Sequence, residues 1–360
     1  MKRICHIALM HGGGGVDVYI RSLLKNAPST VENELICSPD FGNGNFPPDC
    51  KLHLLNIPRD VSVVEDIKAI FFVRKIIRQT KPDVVYCHSS MAGAVGRAAA
   101  LGCKTKVIYN PHGWSFDMRD KSAKARAVYR AAERLLAHFT DKIVCISHYE
   151  KKVAVEQRVC RDDKCYVIQN GIDLTPYQTA VPVIEREYFT VGCAARISAQ
   201  KDPLFFAEVM RLVAKEEPSA RFVWIGDGEM RAEFEQALKE KGIFERTTVT
   251  GWLESPVAEI QKTDVCVLFS KWEGFGLCLL DYLAAGKPVV ARKVGGVGEI
   301  VTPQVGAALE SDSPQAFAAE ILALRDEKKR SEMLPLCIAR ANEFDIKTVA
   351  EKTRALVDVL

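Results

Sequence analysis

The sequence predicts two α/β domains, each a doubly wound parallel sheet, on three observations. Short β-branched runs alternate with apolar-periodic helical stretches. Glycine-rich turns stand where strands hand over to helices, which is where open parallel sheets bind ligands. The 360 residues are long for one core and suit two domains of about 150 to 180 each.

Composition narrows the classes. With 48% hydrophobic and 26% charged residues the chain reads as an ordinary soluble globular protein. No run of about 18 apolar residues exists, so no membrane span is expected. The formal charge of +3 divides unevenly, as +8 over residues 1–180 and −5 over the rest. A basic amino-terminal half attracts anionic partners, a membrane surface among them. Its cations are not interleaved with aromatic residues, so nucleic acid is not an expected partner. The twelve cysteines are spread along the chain, many in apolar strand patterns such as Cys5, Cys87, Cys145 and Cys266. Cys160 and Cys165 lack the CxxC spacing of a zinc or redox site. Reduced thiols in a cytoplasmic protein are the expectation.

In chain order, a strand over about residues 3–10 runs into His11-Gly12-Gly13-Gly14-Gly15 and then a helix. Strand, glycine loop and helix start suggest approach to a phosphate, with Gly13, Gly14 and Gly15 as candidate contacts. The third glycine of GxGxxG is absent, so a nicotinamide cofactor is not expected. The basic start meets this glycine loop rather than a small-residue cleavage site, so a first strand is favoured over a signal peptide. A strand at 35–37, a helix over 64–79 and a strand over 83–88 follow. His88 and Ser89 end that last strand and are candidate acceptor contacts. The strand 107–109 ends at Asn110-Pro111-His112-Gly113, a turn able to hold the His112 imidazole at a fixed angle. The helix over 121–139 is the most basic; Arg126, Arg130 and Arg134 share a stripe opposite Val128, Ala132, Leu135 and Leu136. A solvated face is the plain reading. Arg126 and Arg130 on an anionic membrane or a lipid-diphosphate acceptor is the sharper one.

The strand 142–146 closes the first sheet, and the Asn170-Gly171 turn marks a boundary. The domains are expected at 1–173, with a returning helix over 343–360, and at 188–342, with a linker over 174–187. The second domain opens with a strand at 189–195. Arg196 closes it, and Lys201 precedes a helix with Asp202 as N-cap and Pro203 at its first position. Two cations at a helix start would clamp a diphosphate. Strands at 221–225 and 249–250 end at glycine turns, the latter Gly251-Trp252.

The stretch 265–300 carries the chemistry. A buried-type strand leads through Glu273 into Gly274-Phe275-Gly276. A helix over 277–285 follows, stopped at Gly286, then a strand at 289–291. The loop Gly295-Gly296-Val297-Gly298 is expected to open a further helix at Glu299. Glu273 and Asp281 are eight residues apart, a helical span of roughly 12 Å at about 1.5 Å per residue. Two carboxylates so spaced suit the hydroxyls at the two ends of a nucleotide-sugar, with the diphosphate at the helix start between them.

Glu-Gly-Phe-Gly, an acidic residue eight positions after the Glu, Ala-x-Gly-x-Pro-Val-Val and Gly-Gly-x-x-Glu-Ile closely resemble the signature of the retaining glycosyltransferases of family 4. The second acid is ordinarily Glu, and Asp281 has about one methylene less reach, so a bridging water to the ribose is expected. The resemblance implies the GT-B fold, two Rossmann-like domains facing each other across a cleft, and transfer of a hexose from a nucleotide-sugar to a saccharide or lipid-linked acceptor. It implies a UDP-sugar donor, no cofactor, no metal, and bacterial surface-polysaccharide synthesis at the inner face of the cell membrane. By the same resemblance His112 and Glu273 hold the sugar, and Arg196 and Lys201 hold the phosphates. Gly251, Trp252, Gly274, Phe275, Gly276, Leu277, Asp281 and Glu299 line the donor. A nonhydrolysing nucleotide-sugar epimerase and a non-catalytic nucleotide-sugar-binding protein are the alternatives.

Overall fold

The computed structural model describes residues 1–9, 14–42, 44–56, 63–178 and 188–360. The chain divides into two compact units, residues 1–171 with 346–360, and residues 172–345. The first boundary falls at Gly171, just ahead of the stretch expected to link the domains, and the return falls at Ile346. Ile172 is already tied into the second unit, its N–H donating to Phe344 O at 3.0 Å.

The first unit has seven parallel strands: β1 (Lys2–Ala8), β2 (Val31–Cys37), β3 (Lys51–Leu54), β4 (Val84–His88), β5 (Lys106–Asn110), β6 (Lys142–Cys145) and β7 (Cys165–Val167). Their order is β3-β2-β1-β4-β5-β6-β7. Its helices are α1 (Gly15–Lys25), α2 (Pro39–Gly42), α3 (Val63–Thr80), α4 (Ser89–Ala100), α5 (Ala123–Ala137) and α6 (His148–Glu156). Strands such as Val84-Val85-Tyr86-Cys87-His88 are wholly buried, as a parallel sheet covered on both faces requires. One face packs Ile7, Val85 and Tyr109 against Val73, Val95 and Ala154 of the covering helices.

The second unit has six parallel strands: β8 (Thr190–Ala194), β9 (Arg221–Ile225), β10 (Thr247–Val249), β11 (Val265–Leu268), β12 (Val289–Arg292) and β13 (Gly306–Leu309), in the order β10-β9-β8-β11-β12-β13. Its helices are α7 (Thr175–Gln178), α8 (Pro203–Glu216), α9 (Arg231–Glu240), α10 (Val257–Gln261), α11 (Leu277–Ala284), α12 (Pro314–Ala323) and α13 (Glu327–Asn342). The last helix, α14 (Ile346–Asp358), packs on α1 in the first unit. In each sheet the strand order reverses beside the first strand, β1 or β8, and the loops gathered there carry the candidate residues.

Two expectations change. No helix begins at Glu299; the glycine loop itself winds into a 3₁₀ turn over Gly295–Glu299. Arg340 donates to the carbonyls of Glu299 and Ile300, which meets the exposed acceptors of that turn from the side. Asp202 stands at the N-cap of α8 but does not cap it, because its backbone is left-handed (φ 54°) instead of extended. Its carboxylate takes Arg292 Nη1 at 3.1 Å and Lys271 Nζ at 3.2 Å instead.

The cysteines are all free. Among the described residues no helix is long and apolar enough to cross a membrane.

Candidate functional site

In the second unit the loop from β11 to α11 is pinned on two sides. Gln200 Nε2 donates to Trp272 O at 2.9 Å, and Lys271 N donates to Gln200 O at 2.8 Å. On the other side Gly295 (φ 54°) comes so near that a Cβ there would lie 1.7 Å from Glu273 O. Only glycine fits, so the two glycine loops meet at Glu273.

Lys201 Nζ pairs with Glu273 Oε1, and their side chains are only 16% and 8% exposed. Burial opposes the lysine charge, but the glutamate charge beside it prevails and raises the Lys201 pKa. Lys201 and Arg196 therefore occupy different settings. Arg196 is 71% exposed and its Nε meets Glu229 Oε2 at 3.1 Å. The paired clamp expected from the sequence is one half-buried ion pair and one surface ion pair.

Gly276 N-caps α11 at φ 94°, and no side chain caps the first turn. Its amide groups are thus disposed toward an anion. Leu277 at that first turn is half-buried. Phe275 corrects an expectation: its side chain is buried and packs edge-on against Phe344 at 5.7 Å, which leaves only its backbone for a ligand.

Asp281 has a partner that the sequence does not signal. Tyr177 Oη donates to its Oδ1 at 2.7 Å. Burial raises the carboxyl pKa to about 6, and the tyrosine bond pulls it part of the way back. Tyr177 sits in the stretch expected as linker, where a lone aromatic carries no period to reveal it. Gly251 (φ 74°) bridges to Gly226, while Trp252 is 69% exposed. Glu299 is half-buried at the end of its 3₁₀ turn.

In the first unit Gly13 lies outside the described residues. Gly14 is extended, and among the described residues beyond its chain neighbours none comes within 4 Å of where its Cβ would be. Gly15 opens α1, whose N-cap bears no side-chain bond.

His112 is half-buried, in the left-handed region (φ 52°). Its N–H donates to Asn110 Oδ1 at 3.1 Å. Gly113 N donates to Glu150 Oε1 at 2.7 Å, and Ile146 N to Oε2 at 2.7 Å. The buried Glu150 follows Ser147 in a Ser-x-x-Glu capping arrangement, with Ser147 Oγ accepting from Glu150 N. Its carboxylate thus braces the His112 turn from α6.

His88 departs from the acceptor contact expected of it. It is wholly enclosed, with one ring nitrogen 3.0 Å from His6 Nδ1 and the other 3.0 Å from His112 Nε2. It belongs to the interior and presents nothing to an acceptor. Ser89, left-handed at φ 70°, is half-buried at the start of α4.

The arginine stripe of α5 is divided, with Arg126 and Arg130 half-buried and Arg134 exposed. Arg130 Nη1 donates to Gln157 Oε1 at 2.8 Å, and Arg134 donates to Gln157 O. Arg126 and Arg130 line a groove of about 500 Å³ with Tyr149, Lys152 and Glu156. The outward face is apolar instead, with Val128 61% and Leu135 62% exposed. Helical spacing identifies opposite faces without saying which one meets a neighbour; the carbonyl and amide of Gln157 draw the arginines in.

Residues 188–327 match the family described as Glycosyl transferases group 1, and residues 13–176 match Glycosyltransferase Family 4. The chain belongs to glycosyltransferase family 4. Among its relatives, UDP-Gal:alpha-D-GlcNAc-diphosphoundecaprenol alpha-1,3-galactosyltransferase of Escherichia coli is 26% identical over 313 residues, covering 83% of this chain and 81% of that protein. An uncharacterized 41.2 kDa protein in the cps region of Klebsiella pneumoniae is 28% identical over 303 residues, 80% of each chain.

The fold of this glycosyltransferase matches solved structures at lower identity. Anabaena Alr3699/HepE in complex with UDP and glucose has a TM-score of 0.83 at 19% identity, with both chains wholly covered. Sucrose-phosphate synthase from Thermosynechococcus elongatus has a TM-score of 0.85 at 19% identity, covering 99% and 98% of the two chains. The glycosyltransferase thus has the two parallel-sheet, Rossmann-like domains of the GT-B enzymes, and relatives in polysaccharide biosynthesis.

Proposed function

We propose that this glycosyltransferase moves a hexose from a UDP-sugar, with retention at the anomeric carbon, to a hydroxyl of a lipid-linked saccharide in surface-polysaccharide assembly. The observation that carries the reading is the half-buried Lys201–Glu273 pair where the two glycine loops meet. An ion pair withdrawn from water is a weak source of stability, and a charged ligand offers each partner a replacement for the other. The donor diphosphate takes over the Lys201 ammonium, aided by the first-turn amides of α11 and by Arg196 leaving Glu229. Glu273 is released to accept hydrogen bonds from the sugar hydroxyls. Asp281, with Oδ1 held by Tyr177, faces the ribose hydroxyls through Oδ2. His112 takes a hydroxyl of the transferred sugar.

The sequence shows no pair of carboxylates spaced to serve as nucleophile and acid across one sugar. The reaction is therefore assigned to the same face of the sugar. The anomeric C–O bond to phosphate breaks, the acceptor oxygen bonds to that carbon, and its proton passes to the departing phosphate oxygen. Charge on the leaving group is met by Lys201, Arg196 and the helix amides, and such preorganised stabilisation is often the largest catalytic term.

The UDP-sugar and the lipid diphosphate are supported by the name of the Escherichia coli relative and by the UDP complexes of Alr3699/HepE. The groove of Arg126, Arg130 and Lys152 offers cations to such an acceptor. A thermal-shift panel of UDP, GDP, ADP and their hexose conjugates tests the donor. A bound nucleotide at about a hundredfold its Kd adds about 2.7 kcal/mol of stability. UDP standing out, with a further shift from its hexose conjugate that Glu273→Ala abolishes, is the expected result. No shift with any nucleotide overturns the reading.

A further inference from the structure

His6, His88 and His112 form an unbroken hydrogen-bonded row. Asn33 Oδ1 lies 3.1 Å from His6 Nε2, His6 Nδ1 lies 3.0 Å from His88 Nε2, and His88 Nδ1 lies 3.0 Å from His112 Nε2. At the far end His112 Nδ1 is buried and has no partner among the described residues. The row follows from the sheet. β1 and β4 are neighbours with His6 opposite Tyr86, which puts His88 on the same face two residues on, and β5 leads directly to the His112 turn.

The surroundings keep all three rings neutral. Tyr86 packs against His6 and His88 at 5.4 and 4.3 Å, and Tyr19 stands edge-on to His112 at 5.0 Å. None of the three makes an ion pair with a carboxylate among the described residues. Burial lowers the pKa of His6 to about 4 and of His112 to about 3, and it lowers that of His88 as well.

A neutral imidazole has one N–H and one lone pair, so a row of them has a single direction throughout. The Asn33 oxygen can only accept. It takes the His6 Nε2 proton, which leaves His6 Nδ1 to accept from His88 Nε2, and His88 Nδ1 to accept from His112 Nε2. We propose that Asn33 sets the tautomer of His112 through His6 and His88, so that His112 presents its Nδ1 lone pair as a fixed acceptor for a sugar hydroxyl. Asn33, His6 and His88 are then positioning residues, and the proposal rests on the assignment of His112 to the transferred sugar. A neutral acceptor is also the ring form that does not repel positive charge developing at the reacting carbon. A wrong histidine tautomer in otherwise intact geometry is costly in catalysis.

Nitrogen NMR of the histidine rings tests the row apart from turnover. All three rings of the wild type should carry the proton on Nε2. Asn33→Asp, which still only accepts, should keep that pattern. Asn33→Leu should mix the tautomers at His112 and lower kcat about tenfold, the value of one good hydrogen bond, with the donor KM little changed. Asn33→Ala stands in should the leucine variant fail to fold. A wild-type His112 protonated on Nδ1, or tautomers indifferent to Asn33, overturns the relay. Tautomers that follow Asn33 while kcat does not move overturn the sugar contact of His112 and leave the donor site of the second unit untouched.

Discussion

The two units share a doubly wound architecture, and their candidate site residues are held in opposite ways. In the first unit three imidazoles are held neutral in a row, and their hydrogen bonds run through uncharged aromatic surroundings. In the second, Lys201 and Glu273 form an ion pair at low exposure. A neutral row transmits direction, because each ring must accept where its neighbour donates. An ion pair stores charge that a ligand can claim. The one arrangement suits a fixed polar contact and the other suits exchange with a diphosphate.

The largest effect should come from breaking the charge pair. Glu273→Ala leaves a buried ammonium without its partner, so activity should fall by about 10²- to 10³-fold, with a stability loss of about 3 kcal/mol or more. Lys201→Met combined with Glu273→Gln removes both charges, so it should recover most of the melting temperature and none of the activity. Steady-state kinetics beside calorimetry separates the two; activity returning in the double variant would make the pair merely structural.

Asp281 gives the next effect and sharpens the contrast, since it is a half-buried carboxylate whose partner is the neutral Tyr177 hydroxyl. Its pKa rises from 3.8 to about 6 on folding. Between those values the folded state binds more protons than the unfolded one, so this group's contribution to stability declines as pH climbs from about 4 through about 6. The penalty is complete at pH 7. Asp281→Asn should therefore stabilise the fold at pH 7 and not at pH 4, by at most about 3 kcal/mol at about 1.36 kcal/mol per unit, and raise the melting temperature accordingly. The donor KM should rise in the same variant, and in the wild type as pH falls below about 6. A melting-temperature difference that stays flat across pH would mean that folding does not shift the Asp281 carboxyl, and its contrast with the Lys201–Glu273 pair would fall.

The smallest effect belongs to the outward face of α5. Val128→Asp with Leu135→Asp should change stability by no more than about 0.5 kcal/mol and leave turnover unchanged, since both side chains are largely exposed. A large loss of melting temperature would mean that this face is packed against a neighbour.

Much of the molecule is legible in the sequence. Strand and helix alternation reflects periodicities of 2 and 3.6 that burial imposes on local stretches. The Glu273 loop and its glycines lie within one contiguous motif, so a single reading frame holds them. The Lys201–Glu273 partnership is half visible: motifs single out both residues, but the two stand far apart in the chain and point to separate groups of the ligand. Tyr177 is hidden because one residue in a short helix makes no pattern. The α5 stripe is visible while its facing is not, because periodicity gives a helix two sides and leaves the choice of neighbour to the tertiary fold.

By itself, then, the sequence determined the two α/β domains, the glycine turns at their strand ends and the residue types of the donor loop, all of which depend on local periodicity and backbone freedom. Only the tertiary structure decided that His6, His88 and His112 stand in one row, that Lys201 spends its charge on Glu273 while Arg196 spends its own on Glu229, and that Asp281 is held by Tyr177. The physical reason is that strand order and burial bring together groups distant in the chain, and a polar group's partner, tautomer and charge are fixed by what encloses it.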